Sequence, residues 1–208
     1  MMKAANKIRT LILALSTGAV LSVLTSCVST SSTVSTAKKL SSVYVTNTNK
    51  IKVLMPEYMV GEIDSLYVFS ADFGSQSLSA LSYFFSDPSE MSLTLLSDFG
   101  LDVGHLNYDG NTVDFVLPVK APIKGEYVVA DLQNVFYPTE CLSENYSAAG
   151  LVFESTNMDD GSEVRTISSK SKTVEKITIK YSDDGIPNEV VLENMLRGYS
   201  YTLEMAEE

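Results

Sequence analysis

The chain has 208 residues, with 26 acidic against 15 basic side chains, a formal charge of −11 and 45% apolar residues. So negative a body will not seek nucleic acid or an anionic lipid surface by charge. A single histidine, His105, excludes a His-based metal cluster.

The N-terminus reads MMKAANKIRT, with Lys3, Lys7 and Arg9 and no acid, followed by LILALSTGAVLSVLT. A basic start, a short apolar core and small residues at a boundary are the parts of an export signal. The core is too short to span a bilayer comfortably as a helix, so residues 1–26 read as a removed signal. Leu24-Thr25-Ser26-Cys27 resembles the bacterial lipobox. That resemblance implies a diacylglycerol on the Cys27 thiol, cleavage just before it, and a mature chain beginning at Cys27. Val28 at the next position is similar to outer-membrane sorting signals, which implies a lipid anchor at the periplasmic face of the outer membrane. Each buried methylene contributes about 0.8 kcal/mol, so two or three acyl chains hold a protein where one is marginal. The mature chain keeps twelve basic against twenty-six acidic residues, a net charge of −14. With Cys27 acylated, Cys141 has no intramolecular partner and reads as a small buried hydrophobe.

Residues 27–42 form a tether. VSTSSTVSTAKKLSS is too poor in apolar residues to fold, and a flexible chain of this length spans about 20 Å. Residues 43–208 form the domain, and there the pattern turns to strands. Met91, Leu93 and Leu95 alternate with polar residues, as do Val113, Phe115 and Leu117. The run LSALSYFF (78–85) is apolar on both faces and suggests cover on both sides. Ile177, Ile179 and Tyr181 alternate with Lys176, Thr178 and Lys180, and Tyr199, Tyr201, Leu203 and Met205 with Ser200, Thr202 and Glu204. Strict alternation means one buried and one wet face. Asp109-Gly110, Asp160-Gly161 and Asp184-Gly185 punctuate these runs as tight turns of an antiparallel meander. Between them, Leu132, Val135 and Phe136 share one helical face, Pro138 fits the first turn of a second helix, and Leu142 and Tyr146 share a face. The expected fold is α+β, mainly antiparallel, with this helical pair as the only candidate cover for the apolar face of the sheet.

VVADLQNVFYP (128–138) and LENMLRGYSYTLEM (192–205) resemble motifs of an uncharacterised bacterial lipoprotein family, domain of unknown function 3261. That family is similar to the lipoprotein-localisation factors LolA and LolB. The resemblance implies an open half-barrel whose concave apolar face is covered by helices and holds acyl chains. The implied wall of the hollow is Leu93, Leu95, Phe115, Leu117, Ile177, Ile179, Tyr201 and Leu203, with Leu132 and Phe136 on the cover. The same side chains would serve equally as a dry core. LolB-type receivers resemble one another in an exposed apolar loop, whereas the corresponding connection here, FFSDPSEM (84–91), is polar at its tip.

No HExxH, GxSxG or P-loop pattern occurs, and the DFG and Ser-x-x-Lys matches lack their companion motifs. No catalytic residue, cofactor or metal is expected. Two readings stand. One is an outer-membrane lipoprotein that carries or chaperones an acyl-chain or polyene-like ligand, or another lipoprotein. The other is an interaction lipoprotein that docks an envelope complex without a small-molecule ligand. Both place the chain on the membrane through lipidated Cys27 and away from nucleic acid.

Overall fold

The computed structural model describes residues 38–120 and 123–206. The signal, Cys27 and the tether upstream of Lys38 lie outside the described residues. The chain order is β1 (Lys38–Lys39), β2 (Ser42–Tyr44), β3 (Lys50–Lys52), a 3₁₀ turn (Pro56–Tyr58), β4 (Ile63–Asp72), β5 (Ser77–Ser86), β6 (Met91–Leu96), β7 (Asp102–Tyr108) and β8 (Thr112–Val116). Then come α1 (Gly125–Phe136), α2 (Thr139–Ala148), β9 (Val152–Asn157), β10 (Glu163–Ser169), β11 (Lys172–Tyr181), β12 (Pro187–Asn194) and β13 (Tyr199–Met205).

Each meander folds by the chemistry of its turns. Asp109 accepts the N–H groups of Asn111 and Thr112 and Gly110 takes φ +88°, which reverses the chain between β7 and β8. Gly161 and Gly185 do the same after β9 and β11. Strands β4 to β8 pair in sequence order, and so do β9 to β13. The two meanders join where β13 lies antiparallel to β4, with Leu203 opposite Phe69. With β1 added beside β8, this makes an eleven-stranded antiparallel sheet, while β2 and β3 form a separate ribbon.

The sheet is curved and open. Helix α1 touches both β7–β8 and β12. Six inter-strand steps separate β8 from β12, about 29 Å in a flat sheet at 4.8 Å per strand. A helix about 10 Å across reaches both only if the sheet bends around it. The fold is thus the expected α+β open half-barrel, with the helical pair on its concave apolar face.

Three details depart from the sequence reading. Helix α1 is buried almost all round, including Asp131, Gln133 and Asn134. The helices are therefore not the only cover. The β2–β3 ribbon lies over them, with Val43, Ile51, Val53 and Leu54 buried. The Gln133 amide pairs with the backbone of Leu54 in both directions, at 3.1 and 2.7 Å, as a strand would. Within the segment read as tether, Lys38–Lys39 extend the sheet as β1 and Leu40 buries its side chain. Finally, LSALSYFF is covered on one side only, since Leu81 and Tyr83 face outward from β5.

Candidate functional site

The concave face divides into two parts. Leu93 and Leu95 of β6, Phe115 at the end of β8, Leu117, Leu132 of α1 and Tyr201 of β13 line one cleft. Ile177, Ile179 and Leu203 do not reach it. They are fully buried and form a dry core under β11 to β13. Phe136 packs on Phe84, centroids 4.2 Å apart and nearly parallel, and stays out of the cleft. Six of the ten residues therefore line the cleft and four do not.

The cleft has further walls that periodicity did not single out. Phe69 and Phe73 come from β4 and its end, and Ile123 and Val128 from the start of α1. Tyr201 and Phe69 rings meet at 5.8 Å across β13 and β4. Its accessible wall is wholly apolar. Its free space amounts to about 30 Å³, room for about two waters. The close approach of α1 depends on Gly125: a Cβ there would lie 2.7 Å from Cβ of Phe115. The one histidine, His105, lines the mouth between two carboxylates, 3.7 Å from Asp102 and 3.4 Å from Asp114.

Beside the cleft, both family-like motifs meet in one buried polar network. Tyr199 donates to Asp131 at 2.6 Å, and the amides of Asn134 and Asn194 donate to the two oxygens of Glu175 at 2.9 and 2.8 Å. Tyr146 of α2 donates to Asn134 at 2.9 Å. Burial, and then the neighbouring Glu175, push the Asp131 carboxyl well above the usual range, and burial raises Glu175 as well. Arg197 caps the region. Its guanidinium lies 4.0 Å over the Tyr127 ring and donates to the carbonyls of Tyr44 and Val45 on the N-terminal ribbon. At the far end of α1, Arg165 Nη1 donates to the carbonyls of Asn134, Val135 and Tyr137 at 2.9–3.0 Å, while Glu163 holds its other nitrogens. The sequence signal for this network was the polar residues Asp131 and Asn134 inside an apolar helix. Among the described residues, no three His, Cys, Asp or Glu side chains gather to hold a metal ion.

The connections at the sheet's ends differ in character. The β5–β6 turn is polar, with Asp87 accepting the N–H groups of Ser89 and Glu90. The β6–β7 turn is apolar instead: Phe99 is 90% and Leu101 66% exposed. Among the described residues, no helix is long and apolar enough to cross a membrane.

Residues 69–207 match the model of a family described as Protein of unknown function (DUF3261). No curated protein matches. Similar solved structures include two at low identity. One is a Vibrio parahaemolyticus domain described as an outer membrane lipoprotein-sorting protein, at 9% identity and a TM-score of 0.39, covering 71% of this chain and 84% of that one. The other is a DUF1329 family protein from Desulfovibrio piger, at 12% identity and a TM-score of 0.34, covering 70% and 84%.

Proposed function

The chain belongs to the DUF3261 family, and we propose that it is a lipid-anchored carrier or chaperone that binds an acyl chain or a similar slender apolar moiety, free or on another lipoprotein, in the cleft between β6–β8 and α1. The observation that carries this is the cleft itself: an apolar wall, with His105 and Tyr201 as its ionisable lining residues, on a concave sheet. An apolar lining without a convergent set of polar groups suits binding rather than catalysis. The free space is far below the roughly 300 Å³ at which ligand pockets begin, so occupation requires α1 to ride up from the sheet.

Topology supports an anchor at the end of the sheet that carries Leu117. β1 runs antiparallel to β8, with Lys38 opposite Val113 and Lys39 opposite Thr112. The chain therefore enters the sheet from the end where Leu117 and the Ser97–Leu101 turn lie. A lipid on Cys27, at the periplasmic face of the outer membrane, would bring that end and the exposed Phe99 towards the bilayer.

Native protein extracted in mild detergent and weighed by mass spectrometry tests both halves. The expected result is a diacylglycerol-bearing Cys27 as the first residue and a retained lipid that Leu95→Glu or Phe115→Glu removes. An unmodified thiol at position 27, or a lipid-free protein indifferent to both substitutions, overturns the corresponding half.

A second reading has one observation in its favour. Leu66, Val68, Leu81 and Tyr83 stand 37–42% exposed on the outer face. They are cross-strand neighbours, Leu66 opposite Tyr83 and Val68 opposite Leu81. Such a patch suits docking to an envelope protein. Crosslinking in intact cells that captures one partner protein, with no lipid retained, would favour it.

A further inference from the structure

The two elements that enclose the apolar cleft also carry the buried polar network. On α1, Asp131 directly precedes Leu132, which lines the cleft. On β13, Tyr199 stands two residues before Tyr201, which lines it as well. The hydrogen bond from Tyr199 to Asp131, 2.6 Å long, therefore ties helix to sheet beside the cleft. Along α1 the tie is one residue away, a rise of about 1.5 Å.

Asp131 and Glu175 are both buried and share a hydrogen bond of their own. An ionised carboxylate only accepts, so this bond exists only while one of the two holds a proton. The groups around the pair suit that state. The amides of Asn134 and Asn194 occupy the two oxygens of Glu175. Tyr199 and Tyr201 face the pair from β13, and Tyr146 faces it from α2. Arg197, in the turn between β12 and β13, acts on both acids, but its donors go to the carbonyls of Tyr44 and Val45. The buried Tyr201 hydroxyl has no hydrogen-bond partner. A void of about 10 Å³ borders Asp131, Glu175 and Arg197, room for about one water.

Asp131 belongs to the helix, whereas Glu175 and Tyr199 belong to the sheet. A helix that rides up to admit a ligand draws the pair apart and lets water reach it. A solvated carboxyl ionises near pH 4, about its ordinary value. Above that pH the closed form thus binds one proton more than the open form, and a ligand of the open form displaces it by linkage.

We propose that the Asp131–Glu175 pair is a proton-held latch on the cleft, closed by the shared proton and opened when an apolar chain entering beside Leu132 and Tyr201 drives that proton out. Acid closes the cleft and releases the ligand, and neutral pH favours loading. The proposal deepens the carrier reading and rests on it.

The test is titration calorimetry of 1-decanol, an uncharged slender chain, against the purified full-length chain at pH 5.5 and 7.5, each in two buffers of different ionisation enthalpy. Binding is expected to be at least about fivefold tighter at pH 7.5, with release of about one proton per decanol at pH 5.5. Asp131→Asn keeps the shape of the side chain and cannot ionise. It should bind decanol equally at both pH values and release no proton. Glu175→Gln removes the other partner from the sheet side and serves if the first variant does not fold. Parent binding that is indifferent to pH, or a pH dependence that both variants retain, overturns the latch and leaves the carrier reading standing. No binding of decanol at either pH by any of the three proteins overturns both.

Discussion

The Tyr199 hydroxyl and the Asp131 carboxylate lie 2.6 Å apart, and this hydrogen bond ties α1 to the strand beneath it. Glu175 stands within interaction range of the same carboxyl, and Tyr201 and Tyr146 also face the pair. Arg197 is the cation that acts on the pair, and its donors are directed at the Tyr44 and Val45 carbonyls. The folded state therefore keeps a proton here that the unfolded chain loses near pH 4.

Linkage fixes the direction of the consequence. A carboxyl raised on folding stabilises fully below its unfolded value, and that contribution is lost as pH climbs towards the folded value. Thermal unfolding from pH 5 to 8 should show the parent losing up to about 1.4 kcal/mol per pH unit from this site. Asp131→Asn should flatten the slope. An unchanged slope in the variant would remove the shared proton from the account.

Arg165 fixes the end of α1 and is held by Glu163, with N–O at 2.7 Å. Burial alone would raise the Glu163 carboxyl, but hydrogen bonds from Arg165, Ser155 and Tyr181 hold it below its usual value. Arg165→Met removes the cation beside that buried acid, which keeps only Ser155 and Tyr181, and takes the guanidinium donor from three helix-end carbonyls. A loss of about 3–5 kcal/mol in chemical denaturation is expected. The double variant with Glu163→Gln should lose less than the single one.

Gly125 sits where a Cβ would come within 3.1 Å of Val113 as well as 2.7 Å of Phe115. Its role is close approach, not an unusual backbone angle. Gly125→Ala should lift the start of α1 off β8, cost about 1–3 kcal/mol, and increase binding of an uncharged polarity-sensitive dye by widening the cleft. Equal dye binding in parent and variant would show that the helix start does not limit access.

Cleft and core should respond differently to truncation. Ile177→Ala removes a side chain with no exposed surface and should destabilise by about 2–5 kcal/mol without altering dye binding. Phe115→Ala, at the partly exposed cleft wall, should lower dye binding several-fold at a smaller stability loss. Thermal unfolding and dye titration of the same two proteins decide it.

The alternation at 91–95, 177–181 and 199–205 and the Asp-Gly turns made the strands and the meander legible, because backbone pleat and turn geometry are local. The helical pair was legible for the same reason, and Pro138 falls at the residue before α2 rather than inside its first turn. What alternation reports is which side of a strand is apolar. It does not report what covers that side. Thus LSALSYFF looked doubly buried although Leu81 and Tyr83 face outward. Nor does the apolar face of α1 report that the N-terminal ribbon covers the helix from the other side.

By itself, then, the sequence determined the strands, the helices between them and the apolar character of one sheet face. Only the tertiary structure decided that Leu95 and Phe115 border a cleft while Ile177 and Leu203 fill a core. The reason is physical. Cavity and core share one residue chemistry and one period, and they differ only in how closely a curved sheet and a helix approach, a distance set by residues far apart in the chain such as Gly125 against Phe115 and Phe136 against Phe84.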